Sequence, residues 1–134
     1  MDKFIEKKYS ITNQWLKASL KGIDVIEYLS KQYGGVILYG VTELSQRFIE
    51  AYCNGIYTIE LIGISDRIIT ERYEVAGENK SILCIPVNEI KNYYKNDVVV
   101  IISTVSQYEN IEKCLRDEGV ENIETIENIV YRMK

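Results

Sequence analysis

The sequence predicts an α/β fold: a doubly wound parallel sheet of five strands in the order 3-2-1-4-5, preceded by a helical amino-terminal extension. Three observations predict it. The apolar run Val36-Ile37-Leu38-Tyr39 ends at Gly40 and passes at once into the helix-starting segment Val41-Thr42-Glu43-Leu44-Ser45. Short apolar runs then alternate with helical patterns of about ten residues, the arrangement that parallel strands joined by crossover helices require. The strongest run, Val98 to Ile102, is wholly aliphatic, as expected of a strand covered on both faces.

Each element follows from local chemistry. Residues 1–33 read as the helical extension and residues 34–134 as the sheet domain. Thr12 or Asn13 is placed to cap a helix carrying Trp15, Leu16 and Leu20 on one face, and Asp24 opens a second with Val25, Ile26, Leu29 and Tyr33 at helical spacing. Gly34 and Gly35 stop it and release the chain into the first strand. Glu43 to Asn54 is predicted helical, with Leu44, Phe48, Ile49 and Tyr52 facing inward, and Tyr57 to Ile64 forms the second strand. Residues 68–81 show no clear period and read as a loop. Ile82 to Ile85 is the third strand, stopped by Pro86, and Val87 to Tyr94 is a short helix. Asp97 to Ser103 is the fourth strand, Tyr108 to Glu118 a helix closed by Gly119, and Asn122 to Thr125 the fifth strand. A final helical stretch covers Ile126 to Arg132.

Composition narrows the function classes. The 134 residues are 46% hydrophobic and 27% charged, the balance of a globular protein with a core of its own. The net charge of −4 has acids and bases interspersed, which argues against nucleic acid as a partner, since that needs a concentrated basic face. No run is long enough to insert into a membrane, and the first eight residues lack the apolar centre of a secretory signal, so a cytoplasmic location is expected. Cys53, Cys84 and Cys114 lack metal-site spacing and read as buried thiols. There is no histidine, which removes the commonest general base and zinc ligand.

The chemistry concentrates at the first glycine turn. In a dinucleotide site the first glycine permits the turn, the second lets backbone approach the pyrophosphate, and the third packs helix on strand. Gly40 meets the first need, while Thr42 and Ser45 stand at the other two positions. The amides just past residue 40 are expected to face an open crevice unpaired, as at other helix N-termini that hold anions. Asp66 lies 21 residues beyond Ser45, at the end of the second strand, where an acid accepts ribose hydroxyls. Three occupancies stay open: no ligand, with Gly40 a plain turn and Thr42 a helix cap; a mononucleotide or nucleotide-sugar; or intact NAD(P) as cofactor.

The phrases Ile37-Leu38-Tyr39-Gly40, Ile62-Gly63-Ile64-Ser65-Asp66-Arg67, Ile85-Pro86-Val87 and Asp97 to Ser103 occur in that order. With them, roughly residues 22 to 130 resemble the small Rossmann-like nucleotide-binding domains of bacterial surface-polysaccharide and nucleotide-sugar enzymes. Such domains occur at the amino terminus of sugar dehydratases and sugar acyltransferases, or appended to glycosyltransferases. Carried over, the resemblance implies that Gly40, Thr42 and Glu43 line the phosphate site, Asp66 and Arg67 meet ribose and base, and Ser103 and Thr104 close the pocket, while Ser45 joins the candidate binding residues through its place at the third glycine position. Thr42 departs from the family's tyrosine-glycine-any-glycine turn. The resemblance also implies a role in polysaccharide biosynthesis.

No catalytic set is legible. Extended-class reductases need a tyrosine and a lysine four residues apart, and none of the 11 tyrosines has that partner. Ser103, Thr104 and Ser106 follow the fourth strand, where they suit either phosphate contact or capping of the next helix. Tyr93, Tyr94 and Tyr108 suit an aromatic lip or half-buried packing at helix ends, and Trp15 with the apolar face before the first strand suits docking on a partner, packing on the domain's own sheet or contact with a homodimer mate. The expected function is therefore a nucleotide or nucleotide-sugar binding module, non-catalytic alone because no second half remains to build a substrate site. It would act as a homo-oligomer or beside a sugar-modifying enzyme. The alternatives are an NAD(P)-binding subunit of an oxidoreductase or sugar-modifying enzyme, and a degenerate scaffold for protein interaction.

Overall fold

The computed structural model describes residues 2–77 and 80–133. Its first helix, α1 (Lys3–Leu20), begins earlier than expected, because the Asp2 carboxylate accepts the Phe4 amide at 2.7 Å and caps it there rather than at Thr12 or Asn13. Ile11, Trp15 and Ala18 form its buried face, whereas Leu16 and Leu20, expected to share one face with Trp15, lie outside at 55% and 78% exposure. Gly22, at φ +80°, ends the helix: its amide donates to the Ser19 carbonyl, and the Ile23 amide donates to the Ala18 carbonyl. That paired closure needs a left-handed residue, which glycine adopts without strain. Asp24 then caps α2 (Val25–Ser30) through the Ile26 and Glu27 amides.

The sheet begins with β1 (Gly35–Tyr39), buried along its whole length, followed by α3 (Glu43–Cys53) and β2 (Glu60–Ser65). Within the predicted loop 68–81 lies a further strand, β3 (Tyr73–Ala76), which pairs antiparallel with β4 (Ser81–Ile85). Residues 78 and 79 of that loop lie outside the described residues. Tyr73 and Val75 do alternate with Glu74 and Ala76, but all four are exposed, so no buried face marked them as a strand. A 3₁₀ turn at Val87–Asn92 replaces the expected helix, and β5 (Val98–Ile102), α4 (Tyr108–Asp117), β6 (Ile123–Thr125) and α5 (Ile126–Arg132) complete the chain.

The result is a mixed α/β architecture on one mostly parallel sheet in the order β3-β4-β2-β1-β5-β6. The expected five-stranded, all-parallel sheet is corrected to six strands, with antiparallel β3 at the edge. β1 sits between β2 and β5, parallel to both. Period-2 alternation sends its side chains to two cores. Val36 and Leu38 pack with Ile11, Trp15, Ile26, Leu29, Phe48, Ile126 and Ile129 from α1, α2, α3 and α5. Ile37 and Tyr39 pack on the opposite face with Ile90 and with Leu115 of α4. Fully buried side chains such as Phe48 and Leu115 each contribute roughly 1.5–3 kcal/mol. Of the cysteines expected to be buried, Cys84 is, Cys53 is half-buried and Cys114 is exposed. Among the described residues, no helix is long and apolar enough to cross a membrane.

Candidate functional site

The chain leaves β1 toward β2 on one side and reaches β5 on the other, so the connections that follow the carboxyl ends of β1 and β5 run to opposite sides and leave a crevice between them. Open α/β sheets bind ligands at such a point. Gly40 turns the chain there at φ +105°, with its amide donating to the Ser65 carbonyl at 2.8 Å. A Cβ on Gly40 would stand 2.9 Å from Thr104 Cγ2 and 3.0 Å from Ser103 Oγ. Only a residue without a side chain fits that position.

Beyond Gly40 the amides of Val41, Thr42 and Ser45 are engaged, which corrects for these positions the expectation that they face the crevice unpaired. The Val41 amide donates to Asp66 Oδ2 at 2.8 Å. Thr42 caps α3 reciprocally: its amide donates to Ser45 Oγ at 2.9 Å, and the Ser45 amide donates to Thr42 Oγ1 at 3.2 Å. The Thr42 hydroxyl reaches across to Ser103, 3.2 Å from its carbonyl oxygen and 3.1 Å from its Oγ. Ser103, buried at 2% exposure, donates in turn to the carbonyls of Tyr39 and Gly40. Thr42 thus ties the ends of β1 and β5 together where a second glycine would admit a phosphate. Glu43 turns toward α1 and pairs with Lys8 Nζ at 3.2 Å, adding a carboxylate that disfavours an anion at this helix end. The small cleft beside it, about 250 Å³, is lined by Lys8, Thr42, Glu43, Leu44, Ser103 and Val105.

Asp66, Arg67 and Thr104 converge separately, on the other side of the glycine turn. They line a crevice of about 620 Å³ with Tyr39, Ile68, Ser106, Gln107, Asn110, Ile111 and Cys114. Asp66 holds both the β1 and β2 ends, since its Oδ1 also accepts the Ile68 amide at 3.2 Å. Thr104 Oγ1 donates to the Ser106 carbonyl at 2.9 Å, shaping the path into α4. Burial, and after it the Asp66 charge, hold the Tyr39 phenol above its ordinary value, so at neutral pH it remains a protonated donor.

The predicted site residues therefore fall into two groups. Gly40, Thr42, Ser45 and Ser103 form a closed structural clasp, with Glu43 at its outer edge, while Asp66, Arg67 and Thr104 face the open volume. The first turn of α4 was missed as a wall of that volume. Its signal is weak in sequence, because Gln107 occupies the cap position at φ +65° with no side-chain cap bond. Among the described residues Gln107 is the one non-glycine residue with positive φ, a strained choice of roughly 1–2 kcal/mol. Such outliers tend to gather at binding sites.

Compared with protein-family models, with curated proteins and with solved structures, the chain matches none.

Proposed function

We propose that the chain is a binding module for a nucleotide or nucleotide-sugar, seated in the crevice over Tyr39 at the carboxyl edge of the sheet. The observation that carries this reading is the convergence of Tyr39, Asp66, Arg67 and Thr104, from the ends of three neighbouring parallel strands, on one volume of about 620 Å³. That volume suits a small ligand, and its lining mixes apolar surface with a few directed polar groups. Arg67 offers a fork for phosphate, Asp66 retains acceptor capacity for ribose hydroxyls, and Tyr39 donates from the floor. Association with surface-polysaccharide assembly is part of the proposal through the motif resemblance alone. Intact NAD(P) is disfavoured, because Thr42 and Glu43 fill the phosphate approach above α3.

One observation favours a second reading, that of a scaffold whose nucleotide site has closed. The Val41, Thr42 and Ser45 amides are all satisfied within the chain.

A thermal-shift screen separates the readings. A ligand that binds only the folded state at about 100 times its Kd stabilises by about 2.7 kcal/mol, a rise of several degrees for a domain of this size. Stabilisation by uridine or cytidine nucleotides and their sugar conjugates is expected, with Asp66→Ala weakening binding by about 1–3 kcal/mol. Stabilisation by NAD(H) or NADP(H) alone would favour an oxidoreductase subunit. No response to any nucleotide would overturn the proposal in favour of the scaffold.

A further inference from the structure

We infer that the outer face of α1 is a contact surface for a second copy of this chain, laid antiparallel along it. Ile5, Tyr9, Leu16 and Leu20 are exposed at 43%, 58%, 55% and 78%. At about 100° per residue these four positions fall within roughly 60° of one another, forming one apolar strip. The buried residues Ile11, Trp15 and Ala18 occupy the far side of the helix, so the strip contributes nothing to the chain's own core. Beside it runs a groove of about 390 Å³ between α1 and α5, where Tyr131 approaches Ser10 and where Glu6, Asn13 and Lys17 form the rim.

Charge selects the occupant and its direction. Glu6 and Lys17 enter no ion pair among the described residues. They lie on the same side of the helix, about 16 Å apart along its axis. A second α1 running antiparallel sets its Lys17 against Glu6 and its Glu6 against Lys17. A parallel partner would carry the two flanks to opposite sides of the contact and leave both charges unpaired. The register that matches these charges also drops Leu16 of each copy between Ile5 and Tyr9 of the other. The crossing then falls beside Thr12 and Asn13, whose short side chains allow close approach. Such a contact is self-complementary and closes at two copies.

Sedimentation equilibrium at about 100 µM, where a complex of micromolar affinity is mostly assembled, tests the inference. The unaltered chain is expected to be a dimer. Leu16→Glu, at an exposed position, is expected to give a folded monomer with unchanged circular dichroism. Glu6→Lys should weaken the dimer about tenfold, through two lost pairs and two repulsions, and adding Lys17→Glu should restore it. A monomeric wild type would overturn the inference and leave the strip to another occupant, such as a lipid surface or a different protein. A dimer indifferent to Leu16→Glu, or a double charge swap that fails to restore association, would overturn it equally.

Discussion

Gly40→Ala puts the geometry of the glycine turn to a quantitative test. At φ +105° an alanine carries the penalty of a left-handed backbone, about 1–2 kcal/mol. Its Cβ would also lie 2.9 Å from Thr104 Cγ2 and 3.0 Å from Ser103 Oγ. Neither neighbour yields easily. Ser103 is buried and bonded to the Tyr39 and Gly40 carbonyls, and Thr104 is held by its bond to the Ser106 carbonyl. Overpacking of this kind costs about 1–3 kcal/mol, so the total loss is about 2–5 kcal/mol. Urea unfolding at constant m-value measures it as a lower midpoint. Thr104→Ser removes the nearer of the two contacts. In the Gly40→Ala background it should therefore recover about 1 kcal/mol, while the backbone penalty stays. A loss below about 0.5 kcal/mol for Gly40→Ala would refute both the positive φ and the tight packing.

Thr42→Val, nearly isosteric, removes the α3 cap and the bridge to Ser103, and should destabilise by about 1–2 kcal/mol in the same assay. Thr42→Ser should retain most of that stability. Arg67→Ala is expected to leave the unfolding midpoint within about 0.5 kcal/mol of wild type, since the side chain is exposed, while abolishing most nucleotide-dependent stabilisation in the thermal-shift screen. Burial, and then the hydrogen bond to Asp24 at 2.6 Å, push the Tyr57 phenol from 10.0 up to about 12. The folded state therefore holds this proton more tightly than the unfolded chain. Its contribution is fully present below pH 10 and is lost as pH rises toward 12, so Tyr57→Phe should flatten the alkaline fall in urea midpoint across that window.

The elements that the sequence revealed are those whose pattern is dictated by burial. β1 and β5 are buried on both faces and read as unbroken apolar runs. α3 announces itself by Thr42 at its cap and by Leu44 and Phe48 at core spacing. β3 stayed hidden because an exposed edge hairpin has no buried face to impose alternation, and its stability comes from pairing with β4. The face that Trp15 was expected to share with Leu16 and Leu20 is divided in α1, because Leu16 and Leu20 are as apolar as Ile11 and Ala18. Hydrophobicity alone does not say which of two apolar stripes meets the sheet. At the site, the glycine turn was visible as a motif, yet its hydrogen-bond partners were not. That Asp66 clasps the Val41 amide, and that Thr42 bridges to Ser103, depends on strand adjacency across 25 and 61 residues of sequence. The wall supplied by the first turn of α4 likewise exists only once β5 lies beside β1.

Titration of isotope-labelled protein with uridine and cytidine nucleotides, followed by amide proton–nitrogen spectra, reads the occupied surface directly. Saturating shifts confined to the amides of Arg67, Ile68 and residues 104–110, and lost in Arg67→Ala, are the predicted outcome. Spectra unmoved by any nucleotide, or shifts gathered on the α1 face instead, would contradict a ligand in the crevice over Tyr39.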